Sequence, residues 1–416
     1  MSKTLHLQQF STARQTRSFS MRALNMAGIL APAYARPNAT RWWAAASEAI
    51  ASGTGAALVE PHSDAVAALQ QLVDSINSSA RLNLVGRFSA SDDSTRLARN
   101  HLRIQSLIKS QPSILDTVLP PPIFIIGMPR TGTTYLHTLL AQDPRHRTIP
   151  YWESYEPIPP AAGPDTRIAR LDKMLRQMDQ ISPNYQAIHP MTAESPEECV
   201  ALFMNEFRTL QFDIQYRVPE YVAWLQKQDA TIAYQGYLQQ LKIIQHYRPA
   251  GEHFVLKDPA HTLNIRTILK VFPNAKFVFT HRDPAKSLSS LCSLYSYTRA
   301  IFSDAVDAHD IGREVLNGFW PPGWEDAMRV RDTLPADRYC DVLQTDMRES
   351  PVDAIRGVYA AFDMEFDETA QNALANYLEQ SSSAPRHRHE HSPDGFGLEA
   401  GEIRERMQSY VDAFDL

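Results

Sequence analysis

Cysteine is nearly absent from this sequence of 416 residues: Cys199, Cys292 and Cys340 are widely spaced, odd in number and contain no CxxC pair. That excludes a disulfide framework and a thiolate metal site, and it fits a reducing, cytoplasmic compartment. No stretch approaches the ~18 uninterrupted apolar residues of a membrane-crossing helix. A basic surplus is missing too, since the formal net charge is -6. Nucleic-acid binders carry the opposite balance, so no nucleic-acid partner is expected and any anion site must be local. Acidic residues are lacking from residues 1 to 47, which hold Lys3, Arg14, Arg17, Arg22, Arg36 and Arg41. Asn25 and Pro32 interrupt the apolar part of this region. That favours part of the folded protein over a secretory signal or an Arg-rich transit segment. A basic amphipathic segment resting on a membrane surface is a third reading, so peripheral membrane contact stays open.

What is present centres on residues 121–140, PPIFIIGMPRTGTTYLHTLL. Ile123 to Ile126 read as a buried strand, because β-branched and aromatic residues suit a pleated core. Gly127 ends the run, Met128 to Thr133 form a tight loop, and Thr133 or Thr134 is expected to cap a helix bearing Leu136, Leu139 and Leu140. A strand, a glycine-bearing loop and a helix N-terminus make an anion site. Gly127 and Gly132 have the spacing of the nucleotide-triphosphate loop, but Thr133 stands where that loop needs lysine. Arg130 supplies the positive charge instead. An NTPase without the lysine would lose its main contact to the terminal phosphates.

Hydrophobic periodicity extends the pattern. Further strands are expected at His253–Leu256, Lys276–Thr280 and Tyr339–Leu343, each followed by a helical stretch. Alternation of this kind implies an α/β fold with a P-loop-like parallel sheet flanked by helices. Residues 1–115 read as a helical N-terminal extension packing on the core, with Ser63–Ile76 and Ser94–Lys109 as helices. This extension is expected to cover the site or to join two subunits, so a homo-oligomer stays open. Residues 116–416 form the α/β domain, with a helical, aromatic-rich insert at about 160–250 that suits the wall of an acceptor pocket. Ligands of such sheets collect at the carboxyl ends of strands, and every motif singled out here lies just past one. His281-Arg282-Asp283-Pro284 follows the third strand; Arg282 can fork onto a phosphate, and Ser290, eight positions on, can donate to the same group.

Arg130-Thr131-Gly132-Thr133-Thr134 resembles the 5'-phosphosulfate loop of sulfotransferases that use 3'-phosphoadenosine 5'-phosphosulfate (PAPS). Arg282 and Ser290 resemble that family's 3'-phosphate motif in order and spacing. The strand-Lys257-x-Pro259-x-His261 element, Trp152-Glu153, Pro196-Glu197-Glu198-Cys199 and the tail His391 to Leu398 resemble its bacterial branch. The likeness spans about residues 85–416; the animal cytosolic branch carries Lys where Arg130 stands. It implies transfer of a sulfuryl group from PAPS to a hydroxyl or amine of a small acceptor, without a metal. Arg130, Thr131, Gly132, Thr133 and Thr134 would hold the phosphosulfate, with Lys257 beside them. Arg282 and Ser290 would hold the ribose phosphate, with Arg386 or Arg388 of the tail loop folding over it.

For the base, Glu153 comes first, 23 residues after Arg130, where several family members place a catalytic glutamate. His261 is second, Glu197 and Glu198 third and His189 fourth. The aromatic insert leans toward an apolar or aromatic acceptor. A P-loop kinase or NTPase, with Asp258 on magnesium, and a non-catalytic nucleotide-binding protein are the rival readings.

Overall fold

The apolar run after Pro121 becomes a strand buried on both faces, as a parallel sheet covered on two sides demands. The computed structural model describes residues 5–6, 19–29, 36–54, 59–181, 191–382 and 389–416. Its strands are β1 (Leu5–His6), β2 (Pro122–Gly127), β3 (His146–Arg147), β4 (His253–Lys257), β5 (Lys276–His281), β6 (Tyr339–Leu343) and β7 (His389–Glu390). Five lie side by side in the order β3-β4-β2-β5-β6, every pairing parallel. β1 and β7 pair separately.

Successive side chains alternate between two cores. Phe124 and Ile126 join Phe254, Leu256, Phe277 and Phe279 on one face. Ile123 and Ile125 join Val255, Val278 and Val342 on the other. The helices Ala230–Tyr247, Ile265–Val271 and Pro284–Phe302 pack on the aromatic face.

Four α-helices precede the sheet among the described residues: α1 (Phe19–Ile29), α2 (Ala39–Thr54), α3 (Ser63–Ser75) and α4 (Leu84–Ser110). Helix α5 (Thr133–Leu140) follows β2 and lays Leu136, Leu139 and Leu140 on the β-branched face. Helix α4 begins ten residues before the sequence pattern does, because Asn83 accepts the Gly86 amide at 2.8 Å and starts it through a polar stretch. Trp42, Leu69 and Leu97 of α2 to α4 share one core with Phe207, Phe212 and Tyr221 from the insert. No helix among the described residues is long and apolar enough to cross a membrane.

The sheet order fixes the site. β4, β2 and β5 are neighbours and end at Lys257, Gly127 and His281. Adjacent strands lie ~4.8 Å apart, so the segments after all three emerge side by side.

Candidate active site

The loop after β2 is built by threonines. The Thr131 hydroxyl donates to the Met128 carbonyl at 2.7 Å and meets Thr280 Oγ1 at 2.6 Å. Thr262 Oγ1 accepts the Gly127 amide and donates to the Gly127 carbonyl, both at 3.0 Å. A Cβ on Gly127 would stand 2.2 Å from Thr280 Oγ1, so only glycine fits. Gly132, with φ +97°, is the N-cap of α5, and neither Thr133 nor Thr134 caps it as the sequence reading expected. The expectation that Thr131 holds a ligand meets a side chain turned inward and fully buried, spent on closing the loop. The amides of the first turn of α5 have no acceptor within the helix, and the helix dipole reinforces them.

Two motifs distant in sequence meet here. Arg130 Nε donates to Ser290 Oγ at 3.1 Å, and Arg282 Nη1 donates to the Arg130 carbonyl at 2.8 Å. Arg282 Nε is buried without a partner. Burial pushes both guanidinium pKa values down, and in Arg282 the neighbouring Arg130 adds to the fall. An orphaned donor beside two like charges suits a polyanionic ligand. Across the loop Lys257 Nζ, nearly fully buried, donates to Glu198 Oε1 at 2.5 Å and to Thr134 Oγ1 at 3.2 Å.

Arg130, Arg282, Thr134 and Glu198 open onto one cavity of about 1010 Å³, and Lys257 stands behind Thr134 and Glu198 without lining it. Arg130, Gly132, Thr133, Thr134, Arg282, Glu198 and Asp258 line its polar end, while Ser290 stands behind Arg130. The rest is mainly apolar, with Met174, Met178 and Met204 from the insert side and Leu294, Ile301 and Phe302 from the helix after β5, but Asp92, Asp93, Arg96, Gln177, Gln211 and Gln215 line it as well. Val85 and Phe88 of α4 and Met21 and Leu24 of α1 complete it. The sequence showed no chemistry before residue 115, because an apolar helix stripe reads the same on a core and on a pocket.

The sequence model of the sulfotransferase family matches residues 121–368, which contain every element of this polar end. The chain belongs to the sulfotransferase family. A curated relative is omega-hydroxy-beta-dihydromenaquinone-9 sulfotransferase Stf3 of Mycobacterium bovis, 33% identical over 180 residues. That alignment covers 41% of this chain and 44% of the relative, so less than half of the relative's length is spanned. The crystal structure of sulfotransferase STF1 from Mycobacterium tuberculosis superposes with a TM-score of 0.77 at 26% identity, covering 90% of this chain and 99% of that one. STF9 from Mycobacterium avium gives a TM-score of 0.79 at 26% identity, over 89% and 96% of the two chains.

In this sulfotransferase-family chain the first two base candidates do not line the cavity. Glu153 is buried and accepts from Arg147 Nη2 at 2.6 Å, with Arg248 at 3.9 Å. His261 is buried beneath the sheet's aromatic face, bonded through Nδ1 to the Tyr234 hydroxyl at 2.8 Å and set edge-on to Phe124. Burial pushes its pKa down to about 3, too weak a base for a hydroxyl proton. Glu197 and Glu198 both reach the wall, and Glu198 touches Lys257. His189, Arg386 and Arg388 lie outside the described residues. His391 Nδ1 meets Ser289 Oγ at 2.9 Å and so ties the tail to the second motif.

Glu153 therefore has a structural test. Glu153→Ala strands Arg147 in a buried place, and about 3–5 kcal/mol of stability should go with it. Denaturant unfolding of the two proteins measures the loss; an unchanged midpoint would show that the pair contributes nothing.

Proposed function

We propose that this protein moves a sulfuryl group from PAPS to a hydroxyl, or an amine, of a small apolar or aromatic acceptor. The observation that carries this reading is the meeting of Arg130 and Arg282 from two adjacent strand ends on one cavity. The first-turn amides of α5, Arg130 and Lys257 suit the 5'-phosphosulfate. Arg282 suits the ribose phosphate, with Ser290 holding Arg130 in place and Arg386 or Arg388 as further candidates. PAPS would supply the activated sulfuryl group, with its transferable charge on the oxygens.

The remaining work falls to side chains. Sulfuryl transfer resembles phosphoryl transfer in having a loose, in-line transition state, so positioning and charge stabilisation dominate. Lys257 and Arg130 face the place where negative charge grows on the bridging oxygen. Glu198, on the wall of the polar end, takes the acceptor's proton. Two cations already meet the charge, so the reading calls for no metal.

A cavity of about 1010 Å³ is at the top of the range for a single ligand, which leaves room for donor and acceptor together. Methionine walls adapt to flexible apolar bodies. The mycobacterial relative is named for a hydroxylated dihydromenaquinone, and an apolar body ending in a hydroxyl fits here as well. On this reading residues 1–115 and the insert at about 160–250 form the acceptor half, and residues 116–416 carry the chemistry. A cytoplasmic location with peripheral contact to a lipid surface suits such an acceptor.

Calorimetry tests the donor. The spent nucleotide 3',5'-ADP should bind, and ATP with magnesium should not. Arg282→Ala should weaken 3',5'-ADP about 10- to 100-fold, the worth of a charged hydrogen bond, and AMP by less. Tight ATP-magnesium binding without 3',5'-ADP binding would favour a kinase or NTPase instead.

A further inference from the structure

Three carboxylates and one ammonium converge under the polar end of the cavity. Glu198 pairs with Lys257, and Glu197 Oε1 accepts the Glu198 amide at 2.9 Å. Asp258 follows Lys257 directly, is 4% exposed, and uses Oδ1 to cap the Ala260 amide at 2.9 Å. Its Oδ2 is buried with no hydrogen-bond partner. The other titratable neighbours of Asp258 are Cys199, Tyr234 and Tyr237, all held neutral by burial. Arg130 adds a second cation on the Glu198 side.

Burial, then Glu198, pushes the Asp258 carboxyl well above the usual carboxylate range. The charge count points the same way. An ionised Asp258, buried beside a partly exposed Glu198, is repelled by it and needs a cation or a proton. Glu198 has Lys257; the second oxygen of Asp258 has nothing. In the proposed reaction Lys257 and Arg130 turn to the donor's negative groups, and the carboxylates lose their compensation.

We infer, resting on the proposed donor, that Asp258 takes a proton from solvent when the nucleotide binds and holds it on Oδ2 until release. As a neutral acid it stops repelling Glu198, the proposed acceptor of the substrate's proton. Asp258 is thus a positioning residue acting through Glu198. The proton comes from bulk water and returns to it, and no bond of donor or acceptor changes in this step.

The test is titration of the full chain with 3',5'-ADP at pH 8 in two buffers of different ionisation enthalpy. At that pH the nucleotide's phosphates, with second pKa values near 6, are already ionised, so uptake reports the protein. The observed heat should differ between the buffers, with the sign of proton uptake and up to one proton per site. Uptake should vanish at low pH, where Asp258 is protonated with or without nucleotide. Asp258→Asn keeps an oxygen for the Ala260 cap and should abolish uptake, while Glu198→Gln should retain at least part of it. Equal heats in both buffers for the unaltered protein would overturn the inference. So would uptake that persists in Asp258→Asn, or that is lost in Glu198→Gln alone. Absence of nucleotide binding would instead sink the proposed donor.

Discussion

Exchanging Lys257 for Met is expected to lower turnover about 100- to 1000-fold, the usual effect of removing one donor from a preorganised anion site. Lys257 projects from the end of β4 into a buried place, where its ammonium meets Glu198 and Thr134. Water cannot replace it there, and methionine keeps most of its volume. Charge on the bridging oxygen grows as the sulfuryl group leaves, so the loss should exceed the loss in 3',5'-ADP affinity. Single-turnover transfer from labelled PAPS across a library of hydroxylated acceptors gives the first quantity, and calorimetry gives the second. Equal losses in both would make Lys257 a ground-state binding group only.

The Glu198→Gln variant should lose about 100- to 10,000-fold in turnover, the range for a general base, with 3',5'-ADP binding preserved. Glutamine keeps the shape and an oxygen for Lys257 but accepts no proton. Turnover near the unaltered level would return the base assignment to Glu197 or to residues outside the described part.

The sequence made the strands and loops of the proposed nucleotide half legible and left the cavity's other walls obscure. The runs at Ile123–Ile126, Phe254–Leu256 and Phe277–Phe279 are buried on both faces, so they announce strands without tertiary information. Each ends in a chemically distinctive residue. The proposed base was hidden because Glu153 and Glu198 differ only in what the fold sets beside them. Glu153 meets Arg147, which sits on β3, a two-residue edge strand too short for any periodicity to reveal. His261 likewise follows Lys257 at an inviting distance, but the turn after Pro259 is a 3-10 helix that sends its ring under the sheet. The chain closes in two short helices, Ala400–Arg406 and Gln408–Phe414, parted at Met407. The expected tail loop around Arg386 and Arg388 falls outside the described residues.

Arg130 holds its backbone at φ +72°, a left-handed turn that an L-residue with a long side chain rarely adopts. The peptide oxygen that follows is the one Arg282 grips. On the proposed reading, the grip on one end of the donor is therefore assembled partly out of the grip on the other. A defect in either motif will be transmitted as a change of shape in its counterpart, and the two halves of the donor site stand or fall as one mechanical unit.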